Sequence, residues 1–348
     1  MRYLFFLQTP GVANVANSLL EQNLLPRSVI NVITTNYSND NITEPVNNSI
    51  KVDTVSDASA LEILTDFKPS HVITGTSHYN SWDSIFWRHS KLTNIKHIAL
   101  LDSWFNMNSR FENGTPDCIG AIDSSQKSSL AQLGISEEKI LVIGHPFISK
   151  IKSYKSSFEI KNKDKINILF ISEPISNDVQ IGSNIKYGFT EQDSFDLLLK
   201  SVSNNNQVEK IVVKLHPHED SDLWDKNHQR RQGKTSIKIS YSNRCPSSQD
   251  FLEQFDMACG ISSMLMIETM ALGIPIISIQ PNLSREDTFI ASNRKFVPRI
   301  DDNSEDLEFL NNLSSDFRQR KKLLKKERAF FDDFNDNHEG NLTEWLSN

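Results

Sequence analysis

A histidine followed by proline is the first feature of this 348-residue sequence that could carry chemistry. His216 and Pro217 come after the apolar run 210–215, which is typical of a buried strand. Because proline cannot continue a sheet ladder, we expect His216 at the sheet edge, where an imidazole can donate to a phosphate oxygen or act as a general acid. A histidine satisfied in an ordinary turn is the alternative. A metal site with His218 is disfavoured, since alternate residues of an extended segment point to opposite sides.

Two serines at the start of a predicted helix are the second candidate. Ser262 and Ser263 lie where the predicted strand 257–260 gives way to the predicted helix 263–272. Free backbone N–H groups and the positive end of a helix dipole meet at such a point, so it can bind a phosphate without a cation. A plain serine N-cap is the alternative. Glu268, further along this helix, could reach a ribose or lie on a solvated helix face.

An aspartate at the end of another apolar strand is the candidate general base. Asp102 follows the predicted strand 97–101, and a carboxylate there could remove a proton from a substrate hydroxyl. Trp104 could form an apolar wall or a platform on which a sugar stacks. An aspartate that only caps the next turn is the alternative.

Residues that follow other strands are expected to complete the site. In open α/β sheets, ligands bind outside the carboxyl ends of the strands. We predict that the nucleotide is flanked by Glu173, Pro174, Tyr187 and Gly188, and that the acceptor side includes Gln8 and Gly11. Turn formation by serine, proline and glycine is the alternative at these loops.

Short apolar runs alternate with helical patterns along the whole chain, which predicts βα units and parallel sheets. The alternation stops over residues 151–165, a basic and polar stretch that we interpret as an interdomain linker. We therefore predict an α/β fold with two Rossmann-like domains facing a central cleft. The predicted bounds are 1–150 and 166–303 for the domains and 304–348 for C-terminal helices that pack back across them.

Composition and charge narrow the range of partners. With 37 Lys and Arg against 44 Asp and Glu, the net charge of −7 argues against a nucleic-acid binder. The three cysteines are far apart, so we expect no disulfide framework or zinc knuckle, and a reducing, cytoplasmic compartment fits. No apolar run approaches the ~20 residues of a membrane span. We interpret the basic run 318–328 as a solvated helix face, with peripheral contact at the cytoplasmic face of the membrane as the alternative.

Taken together, these blocks resemble GT-B glycosyltransferases. His216-Pro217 followed by Ser262-Ser263 is similar to the arrangement in bacterial sialyltransferases, polysialyltransferases and capsule Kdo transferases, which use CMP-sugars. The resemblance implies that these residues bind the CMP donor in the domain 166–303. It also implies that Asp102, in an acceptor-side domain, acts as the base and that no metal is needed.

The function predicted from the sequence is therefore an inverting glycosyltransferase. It would move a nonulosonic acid or Kdo from a CMP-sugar to a glycan acceptor of the cell surface, such as capsule or lipopolysaccharide. The resemblance also places Arg110 on the acceptor side. Two alternatives stay open. The first is a UDP-sugar enzyme of the same fold, such as a transferase, a UDP-GlcNAc 2-epimerase or a nucleotide-sugar hydrolase, and the second is a non-catalytic glycan-binding subunit.

Overall fold

In the computed structural model, the chain forms two compact units. Unit 1 comprises Met1–Lys150 and Phe334–Asn348, and unit 2 comprises Ile151–Asp333. The structure describes residues 1–348 except 24–25, 37, 40–41, 78–81, 154–158, 179–186, 217–218, 220, 243–248, 335–338 and 348. Pro217, one of the predicted nucleotide-binding residues, thus lies outside the described residues.

Unit 1 contains a seven-stranded parallel sheet in the order β3-β2-β1-β4-β5-β6-β7. Its strands are β1 (Tyr3–Leu7), β2 (Ile30–Thr34), β3 (Asn48–Lys51), β4 (His71–Thr74), β5 (Lys96–Leu100), β6 (Cys118–Ala121) and β7 (Ile140–Val142). Its helices are α1 (Pro10–Glu21), α2 (Asp57–Phe67), α3 (Trp82–Leu92), α4 (Met107–Arg110) and α5 (Ser124–Gln132), and α6 (Pro146–Ser153) begins in this unit. The strand order changes direction between β1 and β4, which makes their carboxyl ends the switch point where ligands bind in such sheets.

Strand β1 shows why apolar runs in this sequence predict strands. All five of its residues are buried. Tyr3, Phe5 and Leu7 pack into one core cluster with α1, whereas Leu4 and Phe6 pack into a second cluster with α2 and Phe86 of α3. Helices cover both faces of a parallel sheet, so its strands are apolar throughout rather than alternating.

Unit 2 contains a six-stranded parallel sheet in the order β10-β9-β8-β11-β12-β13. Its strands are β8 (Ile166–Ile171), β9 (Val208–Lys214), β10 (Lys238–Ser242), β11 (Met257–Gly260), β12 (Ile276–Ile279) and β13 (Arg299–Ile300). The helices that follow α6 are α7 (Ile175–Asp178), α8 (Glu191–Val202), α9 (Ser221–Gln232), α10 (Gln249–Leu252), α11 (Met264–Ala271), α12 (Ile290–Asn293), α13 (Ser304–Ser315) and α14 (Phe317–Arg328). The switch point of this sheet lies between β8 and β11.

The last helix, α15 (Glu339–Ser347), returns to unit 1. Its Leu342 and Leu346 belong to the core cluster of β1. The Tyr3 hydroxyl donates a hydrogen bond of 3.0 Å to the carbonyl oxygen of Leu346. The C-terminal helices therefore divide between the units, with α13 and α14 in unit 2 and α15 in unit 1.

The predicted α/β class, with two parallel, Rossmann-like domains, is confirmed. Among the described residues, none of the helices has the length and apolar character that a membrane crossing requires.

Candidate functional site

The predicted base of unit 1 is held by a buried arginine. Asp102 follows β5, and its Oδ1 accepts a hydrogen bond of 2.9 Å from Nη1 of Arg110. The same Nη1 donates to the carbonyl oxygen of Thr76 at 3.1 Å and to its hydroxyl at 2.7 Å. The side chain of Arg110 is 7% exposed and that of Asp102 is 17% exposed. Arg110, predicted on the acceptor side, is thus the ion-pair partner of Asp102, which keeps some access to solvent.

Gly11 lies directly against this carboxylate. A Cβ built on Gly11 would stand 2.1 Å from Oδ2 of Asp102. Gly11 is the second residue of α1, so Oδ2 lies at the positive end of that helix. Gln8, at the end of β1, is buried. The loop after β1 and the predicted base therefore meet at the switch point of the sheet, as the strand-end argument predicts.

His145, which was not predicted in the site, binds the backbone of Asp102. Nε2 of His145 donates a hydrogen bond of 3.1 Å to the carbonyl oxygen of Asp102, and Nδ1 accepts one of 3.3 Å from the N–H of Ile148. Burial lowers the pKa of His145, which favours the neutral ring. The pair His145-Pro146 repeats the His-Pro pattern of residues 216–217, but nothing in the sequence connects it to an aspartate 43 residues away.

Trp104 packs within unit 1. Its ring stacks on that of His145 with 5.9 Å between the centroids. Its indole N–H donates a hydrogen bond of 2.7 Å to Oδ2 of Asp123, the N-cap of α5. The indole thus has an internal partner for its N–H group and for one ring face, and it stays partly exposed. A role as an apolar wall or as a sugar platform remains a prediction.

In unit 2, Glu173 and Ser262 bridge the switch point between β8 and β11. Oε2 of Glu173 accepts hydrogen bonds from the Ser262 N–H at 2.6 Å and from the Ser262 hydroxyl at 3.1 Å. From the sequence we expect this N–H to be free for a phosphate, whereas in the structure it donates to a carboxylate.

Two other N–H groups remain at the start of α11. Ser263 is the N-cap, and its hydroxyl oxygen accepts from the N–H of Leu265 at 3.3 Å. The N–H groups of Ser263 and Met264 form no hydrogen bond with a described residue. The first N–H groups of a helix have no intrahelical acceptor, so these two can still receive an anion.

His216 is placed by a second glutamate. Its backbone N–H donates a hydrogen bond of 2.5 Å to Oε2 of Glu219. Oε1 of Glu219 accepts from the hydroxyl of Ser172 at 2.6 Å and from the indole N–H of Trp224 at 3.1 Å. Burial raises the pKa of Glu219, and these hydrogen bonds act against that rise. Glu219, which was not among the residues predicted in the site, thus ties the loop after β9 to the loop after β8.

The described residues contain no cluster of three His, Cys, Asp or Glu side chains suited to a metal ion. His218, from the rejected metal reading, lies outside them.

Glu268 is half-buried on α11. Burial raises its pKa to about 8, and the positive charge of Lys214 at the end of β9 acts in the opposite direction. The side chain therefore carries a proton at neutral pH. The raised pKa argues against the solvated-face alternative, and contact with a ribose stays a prediction.

The loop before α8 also reaches the switch point. Tyr187 packs in one apolar cluster with Ile175, just after Pro174, and with Ile261, just before Ser262. Gly188 has φ of +94°, and a Cβ there would lie 2.3 Å from the carbonyl oxygen of Asn282. The predicted nucleotide-flanking loops after β8 and before α8 therefore come together with the start of α11.

Comparison with known proteins identifies solved structures with a similar fold. No protein-family model matches the sequence, and the comparison with curated proteins gives no match. A Listeria monocytogenes protein described as a UDP-N-acetylglucosamine 2-epimerase is similar in structure, with a TM-score of 0.67 and 14% identity over 97% of this chain and 94% of that one. The Neisseria meningitidis UDP-GlcNAc 2-epimerase bound to UDP-GlcNAc gives a TM-score of 0.63 and 13% identity over 100% and 98%.

A glycosyltransferase is also similar. The lipopolysaccharide outer core galactosyltransferase WaaB, in its apo form, gives a TM-score of 0.57 and 11% identity over 100% of both chains. Identities this low show a shared fold alone. The two Rossmann-like domains of this chain thus form the GT-B-like fold, which epimerases and glycosyltransferases share.

Proposed function

We propose that this chain converts a UDP-sugar without a separate acceptor substrate, as a 2-epimerase or a hydrolase does. The observation that carries the proposal is the similarity of the whole chain to structures described as UDP-GlcNAc 2-epimerases, with TM-scores of 0.67 and 0.63. The contacts of unit 1 are compatible with such a reaction, since Arg110 is paired with Asp102 and Gly11 lies against the same carboxylate.

The choice of UDP is supported by the structural neighbours. The meningococcal epimerase is described with UDP-GlcNAc bound, and a Staphylococcus aureus neighbour with UDP. In this chain, the nucleotide is assigned to the carboxyl edge of the unit 2 sheet. The N–H groups of Ser263 and Met264 would receive phosphate oxygens, and the protonated Glu268 could hydrogen-bond a ribose without repelling the diphosphate.

Asp102 is assigned the proton transfer. Epimerisation by proton transfer requires that a proton be removed from the carbon and that one be delivered to its other face, and a hydrolase needs a base that activates water. Arg110 holds one oxygen of Asp102, and the Asp102 side chain is 17% exposed. The carboxylate is therefore fixed in orientation and accessible to a substrate.

A nucleotide panel followed by a turnover assay tests the proposal. CMP, UMP, CDP, UDP and GDP are compared by thermal shift at matched concentrations, because a ligand of the native state raises its apparent stability. We expect the largest shift with UDP. We also expect UDP-GlcNAc to be epimerised or hydrolysed without acceptor. Asp102→Asn should keep the UDP shift and lose about a thousandfold or more of the turnover, as general-base removal does. Asp66→Asn, an exposed aspartate of α2, is the control.

The second candidate is the CMP-sugar transferase predicted from the sequence. It is favoured by the arrangement of His216-Pro217 and Ser262-Ser263. A shift selective for CMP, with donor turnover only when a glycan acceptor is added, would replace the UDP proposal with this one. Full activity of Asp102→Asn would show that the proton is transferred elsewhere.

A further inference from the structure

Unit 1 contains a buried carboxyl group that the proposed chemistry has not used. Asp83 lies in the first turn of α3 and is 1% exposed. Its Oδ2 accepts a hydrogen bond of 2.7 Å from the N–H of Ser77. Its Oδ1 has no hydrogen-bond partner in the part of the chain that the structure describes. Burying a carboxyl group is costly, so its retention at this position calls for an explanation.

The contacts of Asp83 lead to the predicted base through one short loop. Asp83 binds the backbone of Ser77, and the preceding residue, Thr76, accepts two hydrogen bonds from Nη1 of Arg110. The same nitrogen donates to Oδ1 of Asp102. Residues 75–77, which follow β4, are therefore held by Asp83 on one side and hold Arg110 on the other.

Electrostatics couple the same groups. Burial raises the pKa of Asp83 to about 7, and the negative charge of Asp102 adds to this rise. The backbone N–H groups of Ser77 and Gly75 and the positive charge of Arg110 act in the opposite direction. Near neutral pH, Asp83 thus gains or loses a proton beside the Arg110 and Asp102 ion pair.

We propose that Asp83 is a positioning residue that holds loop 75–77 against Arg110 and thereby fixes the orientation of the Asp102 carboxylate. A hydrogen-bond acceptor at this position suffices to hold the loop. An ionisable one also couples the loop to the charge of the ion pair. The catalytic part of this proposal rests on the proposed role of Asp102, whereas the positioning of the loop does not.

The test compares Asp83→Ala and Asp83→Asn with Ser90→Ala. Ser90 is a buried side chain of the same helix, and its hydroxyl has no described partner, so it reports the cost of truncating a buried polar group away from the loop. We expect Asp83→Ala to lower kcat about tenfold to a hundredfold with little change in KM, because a small misplacement of a catalytic group has effects of that size.

Asp83→Asn keeps an oxygen that can accept from Ser77 and resembles the protonated acid. We expect it to restore most of the kcat at about pH 6 and to remove the part of the pH dependence between about pH 6 and about pH 8 that Asp83 contributes. Equal losses in both variants, matched by equal losses of thermal stability, would mean that Asp83 only stabilises the fold and would overturn the proposal.

Hydrogen exchange separates this proposal from the proposed function. In Asp83→Ala, the amides of residues 71–77 and 101–111 should exchange faster than in Ser90→Ala, whatever reaction the protein catalyses. If the native chain turns over no UDP-sugar but this change is seen, the proposed function fails and the positioning role stands. If the exchange of both segments matches that of Ser90→Ala, the positioning role is wrong.

Discussion

A single glycine sets how closely the Asp102 carboxylate approaches helix α1. A methyl group at Gly11 would overlap Oδ2 of Asp102, at 2.1 Å from it. Gly340 provides a matched comparison, because it is likewise the second residue of a helix in unit 1 and a Cβ there would meet nothing within 4 Å.

We predict that Gly11→Ala lowers turnover strongly, whereas Gly340→Ala leaves it unchanged. Alanine is normally favoured over glycine in a helix by about 1 kcal/mol, so Gly340→Ala should be neutral or slightly stabilising. In Gly11→Ala the overlap must displace the carboxylate or α1, at a cost of about 1–3 kcal/mol in unfolding free energy. Steady-state kinetics and urea unfolding of both variants measure this. Unchanged kcat in Gly11→Ala would mean that the position of Asp102 does not limit turnover.

At the residue scale, the sequence predicted candidates but not their partners. Asp102, Ser262 and His216 could be selected because polar residues that follow buried strands collect at one sheet edge. Their partners are distant or ambiguous in sequence, since Glu173 lies 89 residues from Ser262 and His145 lies 43 residues from Asp102. Asp83 resembles an ordinary acidic residue in the first turn of a helix, and only its burial distinguishes it.

At the scale of elements, the positions of α11 and β9 set the pKa of Glu268, because Glu268 is on α11 and Lys214 is at the end of β9. Since the pKa of Glu268 is raised to about 8, the side chain is mostly neutral at pH 7 and becomes negative as the pH rises above the pKa. A negative charge near a bound diphosphate would oppose binding, whereas a neutral carboxyl or amide would not.

We predict that UDP affinity falls as the pH rises above about 8, by about tenfold per pH unit if only the protonated Glu268 permits binding. Glu268→Gln should bind UDP with an affinity that changes less between about pH 7 and about pH 9. Glu209→Gln, an exposed glutamate of β9, should behave like the native chain. Calorimetric titration at several pH values measures this, and identical pH dependence in Glu268→Gln would remove Glu268 from the nucleotide site.

Elements were predictable where burial imposes a pattern. β1 and β8 form apolar runs because helices cover both faces of each parallel sheet. Three other strands, which the sequence did not predict, lack that signal. β3 is exposed over all four residues and has Ile50 as its one apolar residue, β6 is four residues long with Gly120 inside it, and β13 has two residues. Pairing with a neighbouring strand makes them strands, and a single sequence does not display pairing.

At the scale of the whole molecule, α14 shows two different faces. Arg318, Lys321, Lys322, Lys325 and Lys326 are exposed, while Leu323, Leu324 and Glu327 are buried. Arg320 of the same run is buried and donates to the carbonyl oxygens of Leu313 and Ser314. The other basic residues form a cationic face of a helix packed in unit 2, and contact of this face with an anionic membrane surface stays a prediction.

The buried face of α14 contains a carboxyl group that links the stability of the chain to pH. Oε1 of Glu327 accepts a hydrogen bond of 3.0 Å from the N–H of Ile276 at the start of β12. Its Oε2 has no partner among the described residues. Burial raises the pKa of Glu327 well above its usual value, against the effects of this hydrogen bond and of Lys326.

We predict that Glu327→Gln stabilises the chain relative to the native protein as the pH rises. The folded chain retains the proton of Glu327, whereas the unfolded chain loses it above about pH 4.5, so the native free energy of unfolding falls by about 1.4 kcal/mol per pH unit until the folded pKa is reached. Glutamine keeps the acceptor for Ile276 and cannot ionise, so the variant lacks this loss. Urea unfolding between about pH 5 and about pH 8 measures the difference, with Glu308→Gln, an exposed glutamate of α13, as the control. If Glu327→Gln and Glu308→Gln differ from the native chain by the same constant amount at every pH, Glu327 is not buried as a neutral acid.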